Sequence, residues 1–281
     1  MSASNPTEIV LIVAPKVRSG ITLVVFGLIV VVVFLFVVEH KFKSLSPNVF
    51  YSGCFKMWAH RGYFLGGTQQ NSIGSFQAAF NLGAKAIELD IHYDLSLNDY
   101  VVSHDFPYAL KDGKLLLLEE VFKNFSTSGF FWLDFKNLRR NLSSDSTNKA
   151  INRLVELTKK YNLKEKIIIE SPDPIRLLAA SRRGFFTSYW IRPYIDRQTL
   201  QPWHYFLKVK FFLLYGNFSA LSMNHIWYTD DIEKVFKHIP IHLFTVNNQR
   251  RLVELMEKDS VKIILTDQKF YSQNTCIEGV H

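Results

Sequence analysis

Cysteine is scarce in this chain, with two among 281 residues, Cys54 and Cys276. They flank the region from 56 to 270, and free thiols are the expectation. A bridge would need the ends of that region to meet in a closed barrel, and would argue for an oxidising compartment. Also missing are an arginine-rich run, an RNA-binding aromatic motif and zinc-ligand spacing, so the net charge of +8 does not imply a nucleic-acid partner. The positive surplus suits anionic headgroups beside a membrane, at about 1 kcal/mol per residue near the surface, and attraction of phosphate-bearing substrates. No G-x-G-x-x-G follows the first strand-like run, which argues against a dinucleotide-binding open sheet. With 48% hydrophobic, 15% aromatic and 21% charged residues the chain is neither disordered nor collagen-like. Three N-x-S/T sequons, at Asn124, Asn141 and Asn217, are near chance frequency and carry no argument.

One stretch lacks charge altogether. Residues 19–38, SGITLVVFGLIVVVVFLFVV, are twenty uncharged residues between Lys16 and Arg18 on one side and Glu39, His40 and Lys41 on the other. About twenty apolar residues span a bilayer core of ~30 Å, and a buried core helix would show a polar stripe that this run lacks. A signal peptide has a hydrophobic region of ~7–15 residues and a small-residue cleavage site, for which Val37-Val38-Glu39 is a poor candidate. The expectation is an uncleaved single-pass anchor. Flanking positive charge nearly cancels, so the side faced by the rest of the chain is left open. The predicted division is an N-terminal tail over 1–18, the anchor over 19–38, a polar linker over 39–55, one domain over 56–270 and a C-terminal tail over 271–281.

Within 56–270, short apolar runs alternate with segments of helical period. Strands are predicted at 57–60, 84–91, 130–135, 166–170, 185–191, 218–223, 241–246 and 261–265, with 100–103 an excursion after the second. Asn71 and Ser72 can cap the first intervening helix, which Gly83 ends. Strands separated by ten to fifteen helical residues pair in parallel through right-handed crossovers. Eight of them close a (β/α)8 TIM barrel of ~200–250 residues, with a doubly wound open sheet as the rival.

Polar residues collect at the ends of these runs, where barrel enzymes place their sites. Glu88 and Asp90 are two apart on a strand and share a face. Two carboxylates there repel unless a cation or a shared proton lies between them, and an all-oxygen set suits Mg²⁺ or Ca²⁺ better than Zn²⁺. A solvated strand end explains most isolated E-x-D pairs. His60 precedes Arg61-Gly62, and His104 ends Val101-Val102-Ser103 beside Asp105, which can orient it. Histidines suit general acid–base work near neutral pH. Arg61 offers a fixed fork for phosphate, and Asp134 and Lys136 add a third carboxylate and a cation on one face. Together they read as metal-assisted attack on a phosphodiester.

The ordered set W-A-H-R-G at 58–62, Q-N-S, A-K-A-I-E-L-D-I, V-V-S-H-D at 101–105, L-D-F-K at 133–136, I-E-S-P-D-P at 169–174, F-T-V-N at 244–247 and I-L-T-D at 264–267 resembles the glycerophosphodiester phosphodiesterase family. That family belongs to the phospholipase-C-like phosphodiesterases. The resemblance spans residues 57–267. It implies a barrel binding one divalent cation and hydrolysis of a glycerophosphodiester to glycerol phosphate and an alcohol. It implies that His60 and His104 are the acid–base pair, that Glu88, Asp90 and Asp134 hold the metal, and that Arg61 and Lys136 contact phosphate. The chain departs from the family pattern in Asp134 and Gln70, where glutamate is frequent, and in Phe244, where tryptophan is. A shortened segment between His104 and Leu117 implies a more open mouth.

Two other readings compete. A membrane-tethered, open-mouthed and aromatic-rimmed site suits a lysophospholipase D acting on lysophospholipids, and 203–214 (WHYFLKVKFFLL) offers an aromatic surface for an interface. A non-catalytic barrel that binds phosphate-bearing ligands is the third.

Overall fold

The computed structural model describes residues 15–44, 49–51, 55–139, 142–193 and 201–273; Cys54, Cys276 and Asn141 lie outside them. An apolar helix, α1 (Pro15–Lys43), precedes a repeating strand–helix pattern. The strands are β1 (Met57–Ala59), β2 (Ala86–Asp94), β3 (Asp99–Val102), β4 (Phe130–Phe135), β5 (Ile167–Ser171), β6 (Phe186–Trp190), β7 (Ala220–Asn224), β8 (Ile241–Phe244) and β9 (Val261–Thr266). The helices between them are α2 (Ile73–Asn81), α3 (Leu118–Phe125), α4 (Ser144–Lys160), α5 (Pro174–Ser181), α6 (Gln201–Tyr215), α7 (Asp230–Val235) and α8 (Gln249–Met256).

Eight strands pair in parallel in the order β1-β9-β8-β7-β6-β5-β4-β2, and β1 pairs again with β2 to close the barrel. Strand β3 lies outside that count, paired antiparallel with the far end of β2, Ile91 against Val102. The expected (β/α)8 barrel with its excursion after the second strand is therefore the fold, and the open sheet is excluded by closure. Gly129 allows β4 to start beside β2, because a Cβ there would lie 2.3 Å from the Lys85 carbonyl oxygen.

Strand parity sorts the side chains into two compartments. Ile87, Leu89 and Ile91 point outward into the core shared with the helices, together with Phe76, Phe122 and Leu154. Trp58, Ala86, Trp132, Ile168, Ile263 and Leu265 point inward and fill the barrel. These side chains are buried, and their removal from water is the driving force for closure.

The base of the barrel is closed by a part of the chain expected to be polar linker. Phe50 packs against Phe130, Phe186 and Trp58, with ring centroids 5.3, 4.8 and 6.3 Å away. Beside it, the Tyr51 hydroxyl lies 2.9 Å from His242 Nε2, and the Ser188 hydroxyl lies 3.0 Å from His242 Nδ1. The helix also runs on to Lys43, past the expected end of the anchor at 38.

Burial holds His242 neutral, with its pKa lowered to about 3. A base whose folded pKa is depressed binds more protons unfolded, so its site loses stability as pH falls through the unfolded value of about 6.5. The loss from this one group is about 1 kcal/mol by about pH 5.5 and grows toward pH 3. Replacing His242 with glutamine should lower stability at neutral pH yet flatten the decline between about pH 6.5 and 4. Denaturant melts across that range check it; an unchanged slope contradicts it.

Candidate active site

The site grows from the loop that follows β1. Arg61 and Asn71 adopt left-handed backbone conformations, both with φ of 54°, a region asparagine tolerates and arginine seldom enters. The conformation is held by hydrogen bonds. The Asn71 N–H donates to the Arg61 carbonyl at 3.0 Å, and the Ser75 hydroxyl donates to the same oxygen at 3.0 Å. Gly62 follows at φ +75°, where a Cβ would sit 2.6 Å from the Ser75 backbone. That explains the glycine of His60-Arg61-Gly62: no side chain fits between this loop and α2. Ser72 caps α2 and exchanges a capping box with Ser75.

The constrained loop aims its donors at the two carboxylates of β2. The Arg61 N–H donates to Glu88 Oε2 at 2.9 Å, and Arg61 Nε lies 2.9 Å from Asp90 Oδ2. The Asn71 side chain grips Asp90 from both sides, donating to Oδ2 at 2.7 Å and accepting from the Asp90 N–H at 3.1 Å. The register Asp90 against Asp134 brings the third carboxylate alongside. Lys136 then spans the pair, 2.7 Å from Asp90 Oδ1 and in contact with Asp134. Glu88, Asp90 and Asp134 each offer an oxygen within 4.8 Å of the others.

These carboxylates are unequally compensated. Burial raises Asp90, but Lys136 and Arg61 outweigh it and the net shift is downward. Burial and then the neighbouring charges of Asp90 and Asp134 push Glu88 well above the usual carboxylate range. Asp134 is also raised, by burial first, with Lys136 opposing. The site holds more buried negative charge than its own cations neutralise. All-oxygen ligands with uncompensated charge fit a hard divalent cation such as Mg²⁺ or Ca²⁺.

A cavity of about 210 Å³ opens at this end of the barrel, lined by His60, Arg61, Glu88, Asp134, Lys136 and Arg139 with Trp132, Trp190 and Phe244 as its walls. A larger hollow of about 1070 Å³ lies at the opposite end, away from every carboxylate named here. His60 Nδ1 is 2.7 Å from Asp267 Oδ1, and its Nε2 is 3.9 Å from Glu88 Oε2. Asn247 donates to the other oxygen of Asp267 at 2.6 Å. Burial raises Asp267, but the His60 hydrogen bond prevails and its pKa is lowered.

Of the seven residues singled out in the sequence, five line the cavity and Asp90 lies buried against Arg61 and Lys136 beside them. The seventh, His104, sits on the rim. Its side chain is 38% exposed and its Nδ1 is 2.7 Å from Asp105 Oδ1. The loop carrying it is tied to the site through the Ser103 N–H, which donates to the Asp90 carbonyl at 3.0 Å. His92 Nε2 lies 3.3 Å from the His104 carbonyl oxygen.

Four residues beyond that set belong to the site. Asp267, which the sequence offers only as the end of the I-L-T-D run, orients His60; Asn71, which reads as a helix cap, orients Asp90. Arg139 adds a third cation, and Glu170, opposite Asp134 in the β4–β5 register, a fourth carboxylate. Burial pushes Glu170 well above the usual range, and the charge of Asp134 adds to it. Its position at the end of the run KIIIE, like that of Glu88 and Asp134 on their runs, was the available signal.

The sequence matches no family model and no curated protein. The fold does match solved structures. A glycerophosphodiester phosphodiesterase from Parabacteroides distasonis is 20% identical over 78% of this chain and 94% of that one, with a TM-score of 0.61. One from Agrobacterium tumefaciens is 14% identical over 77% and 97%, with a TM-score of 0.55. A phosphodiesterase from Oleispira antarctica, solved with the product sn-glycerol-3-phosphate, is 14% identical over 83% and 98%, with a TM-score of 0.57. The chain has the barrel fold of the glycerophosphodiester phosphodiesterases, preceded by one helix long and apolar enough to cross a membrane.

Proposed function

We infer that this protein is a membrane-anchored, metal-dependent glycerophosphodiesterase, hydrolysing a glycerophosphodiester to glycerol phosphate and an alcohol. The observation that carries the reading is the convergence of three carboxylates, a histidine–carboxylate pair and phosphate-binding cations at one barrel mouth. Glu88, Asp90 and Asp134 would hold one divalent cation, which when bound supplies a Lewis acid for the phosphoryl group. Arg61, Lys136 and Arg139 bind and orient the phosphate oxygens.

His60 has its Nδ1 on the carboxylate of Asp267, whose lowered pKa keeps it ionised and accepting. That bond selects the tautomer with a free Nε2, which takes the proton from the attacking water as its oxygen bonds to phosphorus. His104, held at Nδ1 by Asp105, gives a proton to the leaving alcohol from its other nitrogen. Trp132, Trp190 and Phe244 give the space where charge develops an apolar wall.

Anchoring by α1 has support besides its apolar length. Val38 and Phe42 are only 2% and 4% exposed, buried against the barrel. A cleaved leader would not form part of the domain's own packing.

Alanine at His60 or at His104 should reduce glycerol phosphate release by about 100-fold or more, with circular dichroism unchanged. Undiminished turnover in either variant refutes the reading. Asp267→Asn should lower kcat more than it raises KM and shift the acidic limb of the pH–rate profile, because it acts through the general base His60. A change in KM alone contradicts that role. Millimolar Mg²⁺ or Ca²⁺ should raise the melting temperature by mass action, and Glu88→Gln should remove most of that rise. An equal rise in the variant places the cation elsewhere.

A further inference from the structure

Strand β2 outlasts its barrel partner: β4 ends at Phe135, opposite Ile91, and beyond that point β3 pairs with β2, His92 against Val101 and Asp94 against Asp99. The face of β2 that presents Glu88 and Asp90 continues as His92 and Asp94, since alternate residues share a face. The loop after β3, residues 103–116, folds back over that continued face and carries His104. Its neck is closed by the Val102 N–H, which donates to the Leu116 carbonyl at 2.8 Å. At the start of the loop the Ser103 hydroxyl donates to the Asp105 carbonyl at 2.9 Å and accepts from the Ala109 N–H at 3.2 Å.

Two side chains fasten this loop further out. Of residues 105–110 only Tyr108 is half-buried, and the others are exposed. Its hydroxyl donates to Asp94 Oδ2 at 3.0 Å, and its ring packs on His92 with centroids 5.6 Å apart. The same His92 lies against the His104 carbonyl. Asp94 is itself fixed, because its Oδ1 accepts from the Ser96 and Leu97 N–H groups at 2.9 and 3.0 Å. Tyr108 therefore ties the loop to a rigid point on β2.

Lys111 is the second fastener, a buried cation that the chemistry above leaves without a task. It is 9% exposed. Among the described residues it pairs with no carboxylate, and its Nζ donates to the Gln70 carbonyl at 2.8 Å. Taking an ammonium out of water for one main-chain acceptor is costly, and an aliphatic side chain would fill the place at less cost. Its backbone is set by a two-residue turn, Asp112 and Gly113, with φ of 50° and 76°. Across that turn Lys111 and Lys114 exchange hydrogen bonds at 2.8 and 3.1 Å. Gln70 belongs to the loop after β1, and its Oε1 accepts from Arg61 Nη1 at 3.1 Å. Lys111 thereby joins the loop that carries His104 to the loop that aims Arg61.

We propose, on the phosphodiesterase reading above, that Tyr108 and Lys111 are positioning residues that clamp the 103–116 loop and so hold His104 at the leaving oxygen. In the reaction the water oxygen bonds to phosphorus and its proton goes to His60. The bond from phosphorus to the alcohol oxygen breaks, and its electron pair stays on that oxygen, which takes a proton from His104. An alkyl alcohol leaves poorly without that proton, whereas a nitrophenol needs none. A proton donor displaced by about 1 Å can cost about 100-fold in rate. Loosening either clamp should therefore slow the hydrolysis of alkyl esters and spare that of nitrophenyl esters.

The test assays the full chain, with Mg²⁺ or Ca²⁺, on glycerophosphocholine and on the p-nitrophenyl ester of glycerol phosphate. Tyr108→Phe and Lys111→Met should each lower kcat on glycerophosphocholine by about tenfold with KM nearly unchanged, and leave kcat on the nitrophenyl ester within about twofold. Lys111→Arg, which keeps a donor, should recover most of the loss. In a His104→Ala background neither substitution should lower glycerophosphocholine turnover further, because both act through that side chain. No loss, equal loss on the two esters, or a loss that multiplies with that of His104→Ala overturns the positioning role. Equal loss on both esters in His104→Ala itself shows that His104 is not the proton donor, and overturns the positioning role with it. Absence of turnover of either ester by the unmodified chain overturns the phosphodiesterase reading on which both depend.

Discussion

Buried negative charge is the constraint around which this molecule is arranged. Three carboxylates in an oxygen cluster, with Glu170 beside them, are held at the open end of an otherwise apolar cylinder. Each loses the hydration that would stabilise its charge, so each must find a cation, a hydrogen-bond donor or a proton. Lys136 is shared by Asp90 and Asp134, Arg61 reaches Asp90 and Glu88, and Asn71 fastens Asp90. Glu88 is left with the least compensation, and its raised pKa records that deficit. A cluster in this state offers a divalent ion the negative charge and oxygen ligands it requires.

The scaffold creates that tension by closure. Parallel pairing brings Asp90, Asp134 and Glu170 to the same height on adjacent strands. Parity turns them inward, and the pairing of β1 with both β2 and β9 completes the ring. His60, at the exit of β1, thereby meets Asp267 at the exit of β9, 207 residues away in sequence. Among the described residues the opposite end is filled by Phe50 and Tyr51, which pack on the apolar barrel interior.

Much of this was legible in the chain itself. The alternation of apolar runs with helical segments identified eight barrel strands, and the spacing of Glu88 and Asp90 placed them on one inward face. The same holds for Asp134 with Lys136. What escaped depends on contacts between distant segments. Nothing local to Asp267 says that it will lie against His60, and Phe50 sits in a stretch of serines and a proline whose composition suggests solvent. Glu170 carried the same strand-end signal as Glu88, but lacked a partner at i±2. The tail of α1 belongs to the domain's packing because its i, i+4 stripe continues past the uncharged run, where hydropathy alone stops.

The account turns on whether the carboxylate cluster is a cation site, because the chemistry, the phosphate contacts and the role of His60 all assume it. Crystals of the full chain grown with Mn²⁺ and measured at the manganese edge would test this directly. The account predicts one strong anomalous peak within about 2.0–2.6 Å of oxygens from Glu88, Asp90 and Asp134. A map with no peak there, Lys136 remaining between Asp90 and Asp134 as the sole counter-charge, would contradict it.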